Sequence, residues 1–153
     1  METKIDSVRL EGIRNKCGFS NGLCLSSVGL SGGIGLWWND NNVNVVSYSN
    51  NHIAVDVSNN GNNNVWRAIG VYGWPENENK HQTWLLMKNL RQQSPHPTIF
   101  FGDFSEILSA GEKCGGGSRR DRCMDNFREC LDSMGVCDLG YKGNIYTRQR
   151  GLS

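Results

Sequence analysis

Apolar and polar residues alternate along the first half of the chain, then recur at helical spacing in the second. The clearest alternation is His52 to Val57, where Ile53, Val55 and Val57 fall on one face of a strand. Val65 to Tyr72 reads as another strand. Val43 to Val46 reads as a third, set off from His52 by the turn residues Ser49-Asn50-Asn51. Upstream, Phe19 to Val28 predicts a strand with Leu23 and Leu25 on one side. Gly29 to Gly33 is then a turn into a strand over Ile34 to Trp38. Asp6 or Ser7 can cap a short helix carrying Val8, Leu10 and Ile13, which ends near Gly18. Such close spacing describes a meander of antiparallel strands.

Beyond Pro75 the period changes. Trp84, Leu85, Met87 and Leu90 mark an amphipathic helix, broken at Ser94-Pro95-His96-Pro97 before a strand over Thr98 to Phe101. A Gly115-Gly116-Gly117 loop leads to a second long helix with Met124, Phe127, Leu131 and Met134, stopped by Gly135. Val136 to Tyr146 returns to strand and turn. Hairpins followed by strand–helix alternation predict an α+β fold with helices packed outside mostly antiparallel sheets.

Composition narrows this picture. At 153 residues the chain suits one domain. Asn39 to Asn44 and Asn59 to Asn64 account for much of a mean hydropathy of -0.51 and read as exposed turns. A net charge of +1 gives no bulk attraction to nucleic acid, and Arg119, Arg120 and Arg122 form the one basic cluster. Six cysteines occur without a C-x-x-C pair, and no apolar segment follows Met1 as in a signal peptide. Reduced thiols in an intracellular protein, nuclear or cytoplasmic and not secreted, are therefore expected. Zinc-ligand spacing is lacking, and no run is long enough to span a membrane.

Candidate chemistry concentrates in Ile99-Phe100-Phe101-Gly102-Asp103-Phe104-Ser105-Glu106-Ile107. An apolar strand delivers a carboxylate past a glycine to a sheet end, where a cation and water can reach it. The plainer reading makes Asp103 the N-cap of a following helix, with Phe100 and Phe101 in the core. From this segment alone both readings stand.

Taken with Met1-Glu2-Thr3-Lys4, Ser31-Gly32-Gly33-Ile34, Trp66-Arg67 and Gly70-Val71-Tyr72-Gly73-Trp74-Pro75, the segment resembles the endonuclease/exonuclease/phosphatase superfamily. Trp84-Leu85-Leu86, Glu112-Lys113-Cys114-Gly115-Gly116, Met124 to Arg128 and Asp138-Leu139-Gly140 continue the resemblance in order. The likeness is nearest to the endonuclease domain of plant non-LTR (long interspersed element) retrotransposons. It implies an incomplete two-sheet α/β sandwich and a phosphodiester hydrolase that nicks DNA, using magnesium or manganese. By the same resemblance, Glu2 matches the metal-holding acid and Tyr72 a tyrosine that hydrogen-bonds the scissile phosphate. Asp103 matches the aspartate that orients and deprotonates water. Ser105 stands where the family has Asn.

These departures matter. Ser is too short to supply both the donor and the acceptor of Asn, and losing one preorganised donor costs about a hundred- to a thousand-fold in rate. Tyr146-Thr147-Arg148 carries a charge where the family has Trp. Residues 1–4 offer no strand before the first helix, and no Ser-Asp-His segment occurs near the C-terminus. His52, His81 and His96 do not replace it by motif. The resemblance thus predicts a domain over residues 1–153 that is truncated at both ends, with impaired or no activity. Unpaired sheet edges in such a fold would favour aggregation. The alternatives are a non-catalytic nucleic-acid-binding or interaction module, with Arg119, Arg120 and Arg122 on phosphates rather than a solvated helix start, and a phosphatase of the same superfamily. Oligomeric state is left open.

Overall fold

The computed structural model describes residues 7–26, 33–39, 42–58, 64–115, 121–144 and 146, together with the backbone of 2–3. The chain forms two compact units, residues 1–105 and 106–153.

The first unit holds two sheets. In one, β1 (Glu2–Thr3) and β2 (Asn21–Leu25) flank β3 (Gly33–Trp38), all antiparallel. The opening residues were expected to offer no strand. They form one because Glu2 and Thr3 pair with Ile34 and Gly33. In the other sheet, β4 (Val43–Ser49), β5 (His52–Ser58) and β6 (Val65–Tyr72) are an antiparallel meander, and β7 (Thr98–Asp103) adds parallel to β6. The observed β6 has the bounds expected from sequence. β2 ends at Leu25, the last two positions of the expected strand lying outside the described residues, whereas β4 runs on to Ser49 through a bulge, because β5 supplies partners that far.

The core lies between the sheets. Ile34 from β3 packs with Ile53, Val55, Ala68 and Tyr72, backed by Leu23, Leu25, Leu36, Val57 and Ile99. This is the period-2 face read from the sequence. The opposite face of the larger sheet is as well buried, at Ala54, Ile69 and Val71. Helix α2 (Lys80–Gln92) is tied to β6 near both of its ends. Thr83 Oγ1 accepts the Trp74 N–H at 3.0 Å, and Arg67 Nη1 donates to the Gln93 carbonyl at 3.3 Å. Helix α1 (Ser7–Lys16) buries Leu10 beside β2 and β3.

The second unit contains a 3-10 turn at Ala110–Glu112 and helix α3 (Asp121–Met134), which buries Met124, Phe127 and Cys130 on one face. Residues 136–144 form no strand, contrary to expectation. Gly135, Gly140 and Gly143 all take positive φ, which interrupts an extended run. The expected turn at 29–32 and strand at 145–147 fall outside the described residues, apart from Tyr146. All six cysteines are free thiols. No helix among the described residues is long and apolar enough to cross a membrane.

Candidate active site

β6 and β7 end together. They run parallel in unbroken register, and their last residues, Tyr72 and Asp103, are partners. Gly73 N–H continues the union past the ladder, donating to the Asp103 carbonyl at 2.7 Å. Such closeness requires Gly102. Its φ is +127°, and a Cβ there would strike the Val71 carbonyl oxygen.

Tyr72 is buried at 9% exposure within the intersheet core, deeper than a strand tyrosine with a wet edge. The β4–β5 hairpin grips its backbone on the other side. Tyr72 N–H donates to the Asn51 carbonyl at 2.9 Å, and the Asn51 amide donates to the Tyr72 carbonyl at 2.8 Å.

Asp103 is exposed, and β7 is half-buried at its start and open at its end rather than buried throughout. Phe101, expected in the core on the plainer reading, is 39% exposed. No helix follows Asp103, so it is not an N-cap. One carboxylate oxygen instead accepts the Ser105 N–H at 2.8 Å, closing an Asx turn. Ser105 has φ +57°, in the left-handed region that few non-glycine residues adopt. Its hydroxyl donates to the Gly73 carbonyl at 3.1 Å, and Lys80 Nζ donates to its carbonyl at 2.7 Å.

Glu2 is placed through its backbone alone. It pairs with Ile34, a member of the same core cluster as Tyr72. Arg122 is exposed in the first turn of α3, while Arg119 and Arg120 lie outside the described residues. Among the described residues, no group of three or more His, Cys, Asp or Glu side chains is assembled to hold a metal. Oxygen ligation by a single acid such as Glu2 suits magnesium, which keeps several waters and takes one or two protein carboxylates. It does not suit zinc, which wants a closed nitrogen and sulfur set.

The architecture has a counterpart. Its fold resembles the endonuclease domain of TRAS1, a telomere-specific non-LTR retrotransposon. The two align with a TM-score of 0.57 at 16% identity, over 80% of this chain. The chain spans about half the length of that domain, 55%. Its fold is thus the two-sheet α/β sandwich of the endonuclease/exonuclease/phosphatase type. A scan of protein-family models finds no match, and neither does a comparison with curated proteins.

Of the residues singled out from sequence, Tyr72, Asp103 and Ser105 are brought together. Three others at this site were missed: Asn51, Thr83 and Lys80. Asn51 sat in a polar turn and Lys80 at a helix start, both ordinary surface signals. Their roles come from partners distant in sequence.

Proposed function

We propose that this chain is a retroelement-type, metal-dependent phosphodiester hydrolase domain acting on DNA, with catalysis impaired at position 105. The observation that carries this reading is the register of Tyr72 with Asp103, followed at once by the Asx turn to Ser105. In support, Glu2 and Asp103 are each strand partners of a residue in one core cluster, Ile34 and Tyr72 respectively.

In this reading Asp103 orients an attacking water and takes its proton. The Tyr72 hydroxyl donates to the scissile phosphate. Glu2 and the waters around it would hold magnesium, whose charge offsets that of the phosphate oxygens. Ser105 spends its hydroxyl on the Gly73 carbonyl, so the donor that the family's Asn turns toward phosphate is missing.

Nicking of supercoiled plasmid in magnesium tests this. The expected result is slow nicking by the parent chain, lost in Asp103→Ala and raised on the order of a hundred-fold in Ser105→Asn. Equal rates for the parent and Ser105→Asn would remove the impairment. Nicking that ignores Asp103→Ala, or none from any variant, would remove the hydrolase reading.

A further inference from the structure

We infer that Lys80 is a positioning residue, holding the Asp103 carboxylate in place through the left-handed turn at Ser105. The inference rests on the hydrolase reading for its catalytic consequence, though not for its geometry.

Lys80 is in an unfavourable place for a lysine. It is 4% exposed, and taking an ammonium out of water costs several kcal/mol unless it is well bonded. It is also the first residue of α2, where the positive end of the helix dipole opposes a cation and no acidic residue occupies the first turn. Among the groups it holds is the Ser105 carbonyl, at 2.7 Å in a charge-assisted hydrogen bond.

Ser105 needs holding. A serine at φ +57° is strained, and three bonds fix it there. Its N–H reaches Asp103, its hydroxyl reaches Gly73, and its carbonyl receives Lys80. With the Ser105 hydroxyl held on the Gly73 carbonyl, a change of φ turns the Phe104–Ser105 peptide against the anchored Cα, and its N–H turns with it. Without Lys80 the residue relaxes toward negative φ, the N–H swings away and the carboxylate loses its tether. The lysine therefore acts on Asp103 through one intervening residue, from a different element of the fold.

The test compares Lys80→Met, Lys80→Arg and the Lys80→Met/Ser105→Gly double variant by NMR and by nicking, with a cooperative thermal melt as the check on folding. A strong Ser105 intraresidue HN–Hα NOE, the signature of positive φ, is expected in the parent and in Lys80→Arg, and lost in Lys80→Met. Lys80→Leu, also without a donor, replaces Lys80→Met if the latter does not fold, and should likewise lose the NOE. In nicking, Lys80→Met should lower kcat on the order of a hundred-fold with KM little changed. That loss should shrink in the Ser105→Gly background, where positive φ costs nothing. Persistence of the NOE in Lys80→Met, or an undiminished loss beside Ser105→Gly, overturns the proposal. If neither the parent chain nor Ser105→Asn nicks, the hydrolase reading fails, and the NOE comparison still decides the role of Lys80.

Discussion

At the scale of single residues, the site depends on two backbone conformations that side chains dislike. Gly102 meets its requirement without cost, whereas Ser105 does not. Gly102→Ala should destabilise the chain by at least the roughly 1–3 kcal/mol of a forced conformation. The clash with the Val71 carbonyl adds to it and pushes β7 off β6. A lowered denaturant midpoint, with loss of any Asp103-dependent nicking, is the expected outcome. Ser105→Asn should have little such effect. Asn tolerates the left-handed region better than Ser, which offsets the lost hydroxyl bond to Gly73, so the variant should unfold within about 1 kcal/mol of the parent. The motif showed from sequence that position 105 departs from the pattern it resembles, and side-chain length alone explained the cost. The backbone reason was not legible, because nothing local to Phe104-Ser105-Glu106 demands positive φ. That demand comes from Gly73, Asp103 and Lys80.

Among the elements, the β4–β5 hairpin and α2 seat β6, and each does so through a buried polar group. Arg67 on β6 makes two hydrogen bonds to the Asp56 carboxylate, at 2.8 and 3.0 Å, and a third to the end of α2. Arg67→Met leaves a carboxylate that is only 20% exposed without its partner, so a loss of about 3 kcal/mol is expected in chemical unfolding. His52, beside the residue that grips Tyr72, sits between the hydroxyls of Ser47 and Ser49. Burial disfavours its charged form and lowers its pKa below the ordinary 6.5. The unfolded chain therefore binds the proton more readily, and stability rises with pH in this window. The contribution of His52 is complete above 6.5 and is lost as pH falls from there toward the folded value. His52→Gln should flatten the denaturant midpoint between about pH 7 and about pH 5. The Arg67 hydrogen bonds hold the Asp56 carboxyl below its ordinary 3.8, so its contribution is lost only at lower pH and leaves that window undisturbed. From sequence, His52 was simply one position in a strand. Its hydroxyl partners became visible only once β4 extended past Val46 to Ser49.

Across the whole molecule, the strands that were legible are those with a sharp period or a clear breaker. Val65 to Tyr72 is a short apolar run rich in β-branched and aromatic residues and is followed by Pro75, and its bounds are as expected. The segment after Gly135 has apolar residues to suggest a strand, but its glycines turn the chain before a ladder can form. The two edges of the larger sheet also differ in a way that alternation does not reveal. β4 carries a bulge between Val45 and Ser47, a common means of blunting an exposed edge. β7 has no such device. It runs in unbroken register with β6, no further strand pairs with it among the described residues, and Phe101 is exposed on it. An open regular edge bearing an aromatic residue is a template for pairing with another chain. Self-association should therefore run through β7 and not β4. Sedimentation velocity over a range of concentrations should show association in the parent chain and a marked reduction in Phe101→Lys, where a charge sits on the edge and its aliphatic stem still covers Gly70. The corresponding change on the other edge, Tyr48→Lys, removes a side chain that is also exposed. If the two variants reduced association equally, general surface hydrophobicity would be the cause. A reduction confined to Phe101→Lys locates the contact on the strand that also presents Asp103, so association and access to the candidate site would compete for one edge.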